Sequence, residues 1–112
     1  MGAADNSKAR FNIYVIELSQ DILKVRKFRE ANPNYKQGKP CVYVGMTART
    51  PKERFQQHKE GYKAARFAKK YGLRLKPRQY TRHNPMTFDD ADKMEKEKAR
   101  RLRKKGWGVW QK

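Results

Sequence analysis

The sequence predicts an α+β fold, because short apolar strands and clearly bounded helices follow one another along the chain. Residues 11–18 and 41–47 are apolar segments of strand length, and apolar side chains alternate along both with a period of two. Residues 50–60 and 88–105 carry residues typical of helix starts and ends. Strands and helices of these lengths predict a small mixed domain rather than an all-helical one.

The first strand, residues 11–18, is apolar on both faces, and Tyr14 lies on one of them. A strand covered on both faces is typical of the centre of a sheet, so we expect a central position. Residues 19–39 then form a long, charged connection. The spacing of Ile22 and Phe28 within it permits one short amphipathic helix.

The second strand, residues 41–47, places Tyr43 and Gly45 on one face and an entirely apolar set on the other. Glycine has no side chain, so Gly45 leaves room for another group to approach the backbone closely. A polar phenol beside this open position is the first candidate for a functional site.

The next helix has strong boundary signals. Thr50 is a good N-cap, Glu53 completes a capping box with it, and Gly61 ends the helix. Arg54 and His58 are four residues apart, so they lie on one helix face. These side chains and Tyr43 could converge where strand meets helix. Alternatively, the tyrosine is a core residue and the other two are solvated.

A third helix is predicted over residues 62–71 and a third strand over residues 73–80. Pro77 cannot donate a backbone hydrogen bond, which confines this strand to a sheet edge or to a short piece. The helix carries four cationic side chains that either contact nucleic acid or only confer solubility: Lys63, Arg66, Lys69 and Lys70.

The last helix, residues 88–105, has an apolar stripe that includes Ala91 and Ala99, and Glu95 lies within it. A carboxylate on a buried face has to be paired, protonated or bound to a cation. The alternatives are therefore a salt bridge, for example to Arg54, or a metal ligand. Glu97 points away from the stripe and is expected to be solvated.

Composition limits the partners. The chain has 112 residues, with 29 Lys and Arg against 11 Asp and Glu, a net charge of +18 and a pI near 10.3. A positive charge this high favours a polyanionic partner, above all DNA. No apolar run is long enough to span a membrane. With Cys41 as the single cysteine and no signal peptide, we expect an intracellular, cytoplasmic protein. We expect one domain over residues 11–112 after a disordered tail over residues 1–10.

Several short motifs resemble those of the GIY-YIG nuclease family, in its small stand-alone form. The first motif corresponds to Asn12-Ile13-Tyr14 and the second to Tyr43-Val44-Gly45. The family's arginine and the histidine four residues later match Arg54 and His58, and its alanine and glutamate one turn apart match Ala91 and Glu95. Ala65-Arg66-Phe67 is also similar to a stretch of small members. Together these motifs extend over nearly the whole chain.

The resemblance implies a three-stranded antiparallel sheet flanked by helices and an endonuclease that hydrolyses DNA phosphodiesters with one divalent cation, Mg²⁺ or Mn²⁺. No small-molecule cofactor is implied. Carried over by position, Glu95 is the single protein ligand of the metal, and Tyr14 helps to activate the attacking water. Tyr43 and His58 hydrogen-bond within the water and phosphate network, and Arg54 stabilises the scissile phosphate.

Three features depart from the family pattern. Asn12 replaces the glycine of the first motif, and residues 19–39 are longer than the usual connection, so they count as an insertion. The family's C-terminal asparagine has no clear counterpart, and Gln111 is the nearest polar candidate. The insertion either contacts DNA through its basic residues or only covers the sheet. The alternative function is a non-catalytic, basic nucleic-acid-binding module that retains the motif residues for structural reasons.

Overall fold

The structure, a computed structural model, describes residues 8–111. Residues 1–7 of the predicted disordered tail lie outside the described residues. The described chain contains four strands and four α-helices, which confirms the α+β class. In chain order they are β1 (Asn12–Leu18), α1 (Arg26–Ala31), β2 (Cys41–Thr47), α2 (Pro51–Glu60), α3 (Arg66–Tyr71), β3 (Gly72–Leu75), α4 (Phe88–Lys104) and β4 (Gly108–Gln111).

The four strands form one mixed sheet in the order β3-β1-β2-β4. β1 pairs antiparallel with β2 and β3, whereas β4 pairs parallel with β2. The expectation of three antiparallel strands is therefore wrong. The reason is the C-terminal extended segment, since α4 carries the chain back along the sheet and lets residues 108–111 add a parallel strand beside β2. The predicted central position of β1 is confirmed.

Two predicted elements are shorter in the structure. β3 ends at Leu75, and Pro77–Gln79 form a 3₁₀ turn, because proline cannot donate to a strand ladder. The helix expected from residue 62 begins only at Arg66. Lys63 has a left-handed backbone with φ of 43°, which interrupts any helix between Gly61 and Ala65.

The connection of residues 19–39 packs into the core. It forms a 3₁₀ helix (Gln20–Lys24) and α1, and both Ile22 and Phe28 are completely buried. The Asn32 side chain accepts from the Val109 N–H at 2.8 Å and donates to the Val109 carbonyl at 3.0 Å. The Asn32 side chain thus satisfies the Val109 backbone groups at the free edge of β4, as a neighbouring strand would. These contacts favour the covering role for the insertion.

The helix boundaries next to the site agree with the sequence signals. Thr50 and Glu53 form the expected capping box, and Gly61 adopts φ of 89° at the end of α2. Thr87 caps α4 by accepting from the Asp90 N–H at 3.2 Å. In residues 8–111, no helix is long and apolar enough to cross a membrane.

Candidate active site

Tyr14 and Gly45 lie opposite each other in the antiparallel β1–β2 pair. A Cβ atom at Gly45 would lie 2.5 Å from both Cζ and Oη of Tyr14. The open position predicted at Gly45 is therefore filled by the phenol of the neighbouring strand. Any larger residue at position 45 would displace the Tyr14 hydroxyl.

The Tyr14 hydroxyl is hydrogen-bonded to Nε2 of His58 over 2.8 Å, and both side chains are buried. The other ring nitrogen of His58, Nδ1, accepts from the Ala65 N–H at 3.0 Å. A neutral ring that accepts at Nδ1 carries its proton on Nε2. His58 therefore donates to the Tyr14 oxygen, and the Tyr14 O–H proton is directed to the Tyr43 hydroxyl, since a hydrogen bond between the two phenols raises the pKa of Tyr14 and lowers that of Tyr43.

The second tyrosine belongs to the same cluster. The ring centroids of Tyr14 and Tyr43 are 6.2 Å apart, and Tyr43 packs edge-on against His58 at 5.5 Å. Desolvation by burial raises the pKa of both phenols, and the Glu95 carboxylate raises it further while Arg54 opposes the shift. Both hydroxyls are therefore protonated at neutral pH and can serve as donors.

His58 is held in its neutral form. Burial, followed by the nearby Arg54 charge, lowers the pKa of His58 to about 4. Its role at neutral pH is that of a fixed hydrogen-bond donor to Tyr14. It is not a solvated side chain, as the structural alternative for this residue supposed, since only 1% of its surface is exposed.

Arg54 lies one helical turn before His58 and is anchored by the loop that follows α2. Its guanidinium donates to the carbonyl of Lys63 at 2.7 Å and to the carbonyl of Tyr62 at 3.2 Å. These bonds fix the group beside the tyrosines, whose pKa it lowers. A planar guanidinium held in this way is suited to binding a phosphate oxygen.

Glu95 reaches the cluster from α4. It is 5% exposed, lies one turn from the fully buried Ala91, and its charge acts on both phenols. It also lines a cleft of about 410 Å³, together with Met46, Asp92 and Lys96. Within that cleft, Lys96 Nζ is 3.0 Å from the Asp92 carboxylate. The structure thus brings Tyr14, Tyr43, Arg54, His58 and Glu95 into one neighbourhood.

The donor set suits a hard cation better than a soft one. Among residues 8–111, no three Asp, Glu, His or Cys side chains form a cluster that could hold a metal ion. Mg²⁺ in proteins is commonly held by one or two carboxylates and retains several waters. Glu95 is the one carboxylate of the central cluster and lines the cleft, so it is the residue that could hold such a cation.

The four predicted nucleic-acid-binding residues are all exposed, and in the described chain none has a carboxylate within 4 Å. Lys63 adjoins the site directly, because its carbonyl holds Arg54. The other three lie on α3, which packs against α2. They are Arg66, Lys69 and Lys70.

Gln111 lies outside the central cluster. It belongs to β4, is half-buried and pairs with Val44 of β2, so β2 separates it from Tyr14.

Glu97 was expected to be solvated, but it is half-buried. Its carboxylate binds Arg100 at 2.6 Å and Arg101 at 2.8 Å, because side chains three and four residues apart are neighbours on one face of α4.

Sequence reasoning missed the backbone groups that position the side chains. The Ala65 N–H sets the tautomer of His58, and the carbonyls of Tyr62 and Lys63 hold Arg54. No residue type identifies such contacts, because every residue carries the same backbone groups. The only available signal was Gly61, which ends α2 and turns the chain back along it.

Comparison of the sequence with known protein families, with curated proteins and with solved structures finds no match.

Proposed function

We propose that this protein is a metal-dependent DNA endonuclease that hydrolyses phosphodiester bonds, and that it is a divergent member of the GIY-YIG nucleases. The observation that carries the proposal is the convergence of Tyr14, His58, Arg54 and Glu95, which come from three different elements, β1, α2 and α4. A charge-driven binding protein does not require a hydrogen-bonded phenol and imidazole beside a guanidinium and a carboxylate.

Each side chain has a role that its contacts support. Arg54 binds the scissile phosphate and offsets its developing negative charge. His58 holds the Tyr14 oxygen through its Nε2–H, and Tyr14 in turn is hydrogen-bonded to Tyr43. The Tyr43 hydroxyl is thereby left to donate to a substrate or water oxygen at the end of this chain of bonds. Phosphoryl transfer depends on such positioning and charge stabilisation more than on covalent catalysis.

Glu95 is the residue proposed to hold Mg²⁺ or Mn²⁺. The cation, when bound, offsets phosphate charge and lowers the pKa of a coordinated water. Glu95 contributes a carboxylate at the edge of the cleft, and Asp92 stays paired with Lys96 beside it. We propose that Lys63, Arg66, Lys69 and Lys70 bind the DNA backbone next to Arg54.

The decisive test is a nicking assay on supercoiled plasmid and on branched DNA, with Mg²⁺, with Mn²⁺ and with a chelator. We expect cleavage only with a metal. Glu95→Gln should bind DNA almost as well as the parent protein but lose cleavage at every Mg²⁺ concentration, because the amide cannot replace the charged ligand. Glu60→Gln is the control, since it alters an exposed carboxylate on α2 and should leave cleavage unchanged.

DNA binding itself has a separate signature. If six or more phosphates are contacted, affinity should fall roughly 10³-fold or more between 50 and 200 mM salt, because each neutralised phosphate releases counterions. Fluorescence anisotropy with a labelled duplex measures this slope. An affinity independent of salt would exclude the DNA backbone as the ligand of this surface.

A non-catalytic nucleic-acid-binding module is the second candidate. The observation that favours it is the burial of Tyr14, Tyr43 and His58, which lets them serve as satisfied core residues. This candidate expects the same salt dependence, no cleavage with any metal, and Glu95→Gln behaviour identical to that of the parent. The nicking assay therefore separates the two candidates, whereas the binding assay does not.

A further inference from the structure

One exposed aromatic side chain lies beside the proposed active site. Phe88, the first residue of α4, is 39% exposed, one of three large apolar side chains that residues 8–111 leave exposed to solvent. Phe88 lies two helical turns before Glu95, so the two side chains are on the same face of α4. Both line the same cleft of about 410 Å³. The exposed ring therefore borders the space that the carboxylate borders.

The Phe88 ring is held in place by its neighbours. It packs edge-on against the ring of Phe11, with 5.3 Å between the centroids and 83° between the planes. Phe11 is buried, and it exchanges both backbone hydrogen bonds with Met86, at 2.8 and 2.7 Å, which ties the start of α4 to the start of β1. An edge-on contact occupies at most one face of a ring. The exposure of Phe88 shows that part of its remaining surface is open to a partner.

The cleft has an apolar side and a polar side. The apolar side is formed by three side chains: Phe11, Met46 and Phe88. On the polar side, Glu95 lies beside Asp92, whose carboxylate is paired with the Lys96 ammonium at 3.0 Å. The volume falls within the roughly 300–1,000 Å³ that is typical of small-ligand sites. Such a cleft suits a flat, uncharged group that has polar edges.

The charges decide which part of a nucleotide enters the cleft. Two carboxylates line it against one ammonium, so a phosphate group would be repelled from its interior. A cation lies beside the cleft instead, because the guanidinium of the exposed Arg10 is 4.6 Å from the centroid of the Phe11 ring. A nucleobase carries no charge at neutral pH, and it has a π face for stacking and polar edges for hydrogen bonds. The base therefore fits the cleft, and the phosphate fits the surface outside it.

We propose that Phe88 stacks on an unpaired nucleobase next to the scissile phosphate, and that the substrate class is DNA with an unpaired nucleotide at the cleavage site. The stacking rests on the proposed function, because Glu95 in the same cleft is the residue proposed to hold the metal. Bases inside a duplex are stacked on both faces, so one of them reaches Phe88 only after it leaves the stack. That cost is smallest for a base that is already unpaired.

The test is a binding comparison between two fluorescently labelled duplexes. Each has the same sequence and a one-nucleotide bulge, but in one of them the bulged nucleotide is abasic, so the two carry the same number of phosphates. Anisotropy is measured with the full chain and a chelator, which prevents metal-dependent cleavage. We expect the duplex with the bulged base to bind about fivefold or more tightly than the abasic one, because stacking on an aromatic side chain contributes at least this much. Equal affinities, or no binding of either duplex, would overturn the proposal.

Matched variants assign the preference to Phe88. Phe88→Leu keeps an apolar side chain against Phe11 but removes the aromatic face, so it should lose most of the preference, whereas Phe88→Tyr keeps the ring and should retain it. Leu73→Ala is the control, since it shortens an apolar side chain on β3 that is 48% exposed, and it should discriminate like the parent. If Phe88→Leu also discriminates like the parent, or if Phe88→Tyr does not, Phe88 does not stack on the base. Phe88→Met replaces Phe88→Leu if the latter fails to fold.

The cleavage assay separates this proposal from the proposed function. With Mg²⁺, the duplex with the bulged base should be cut next to the bulge, and the fully paired duplex of the same sequence should be cut more slowly. Cleavage of both at the same positions and rates would leave the nuclease function intact and refute the stacking at Phe88. A preference for the bulged base without cleavage by any metal would refute the nuclease function and retain the stacking.

Discussion

His58 and His83 are the two histidines of the chain, and their surroundings differ in one decisive respect. Both ring nitrogens of His58 are hydrogen-bonded, to Tyr14 and to Ala65, and the ring is fully buried. His83 has a buried Nε2 without a partner in residues 8–111, and both cations and carboxylates line the cleft beside it. The first histidine is part of a completed network, and the second keeps one buried ring nitrogen unbonded.

The difference teaches that burial alone does not indicate what a polar residue does. A satisfied network such as Tyr14–His58 holds its groups in one geometry and adds to stability. A buried polar atom without a partner, such as Nε2 of His83, lowers stability by the cost of its lost solvation. Removing a member of the satisfied network should therefore lower stability more than a change near His83, and three experiments test this contrast.

The largest effect is expected from Tyr14→Phe, which keeps the ring and removes the hydroxyl. Under the proposed function, turnover should fall about 10²- to 10⁴-fold, as is typical when a proton-transfer group is lost. The free energy of unfolding should also fall, by about 1–3 kcal/mol, because the His58 Nε2–H is left buried without an acceptor. Plasmid nicking rates and urea unfolding measure the two effects. If the variant cleaved at the parent rate, the Tyr14 hydroxyl would have no part in catalysis and Tyr14 would be a core residue only.

The next effect concerns pH. The pKa of His58 is about 4 in the folded protein and near 6.5 in an unfolded chain. Between these values only the unfolded chain binds the proton, so stability falls as the pH is lowered from 6.5 to 4, by about 3 kcal/mol at most. His58→Gln should remove this contribution. The comparison of urea unfolding between the two proteins at pH 7 and pH 4.5 isolates it.

Ring resonances provide an independent check on the same residue. The His58 ring should show no titration above pH 5, because protonation breaks the bond from the Ala65 N–H. A midpoint near 6.5 would mean that the ring is solvated and that the network around Tyr14 does not persist in solution.

The smallest effect is expected from Lys98→Met. Its free energy of unfolding should stay within about 1 kcal/mol of the parent value, because methionine keeps the buried stem of the side chain and the ammonium is not a buried atom without a partner. Lys52→Met, at an exposed position, should change stability by less than about 0.5 kcal/mol. A Lys98→Met variant destabilised as strongly as Tyr14→Phe would show that the Lys98 ammonium has a stabilising partner, and the contrast between the two regions would fail.

Much of the local structure follows from residue types. Thr50, Glu53 and Gly61 define α2 because capping acts through neighbouring residues. The role of Gly45 was predicted only as an open position, since its occupant, Tyr14, is contributed by another strand. Lys98 carries a signal that was available, because its position relative to Ala91 and Glu95 places it on the buried side of α4.

The sequence by itself determined the α+β class, the boundaries of α2, the central place of β1 and the list of five candidate site residues. These depend on short-range patterns of capping, alternation and helical spacing. Only the tertiary structure decided that residues 108–111 pair parallel to β2, that residues 19–39 complete the core, and that His58 is bonded at both nitrogens while His83 is not. Strand pairing, burial and hydrogen-bond satisfaction depend on partners far apart in the chain, and a local pattern carries no information about which partner is met.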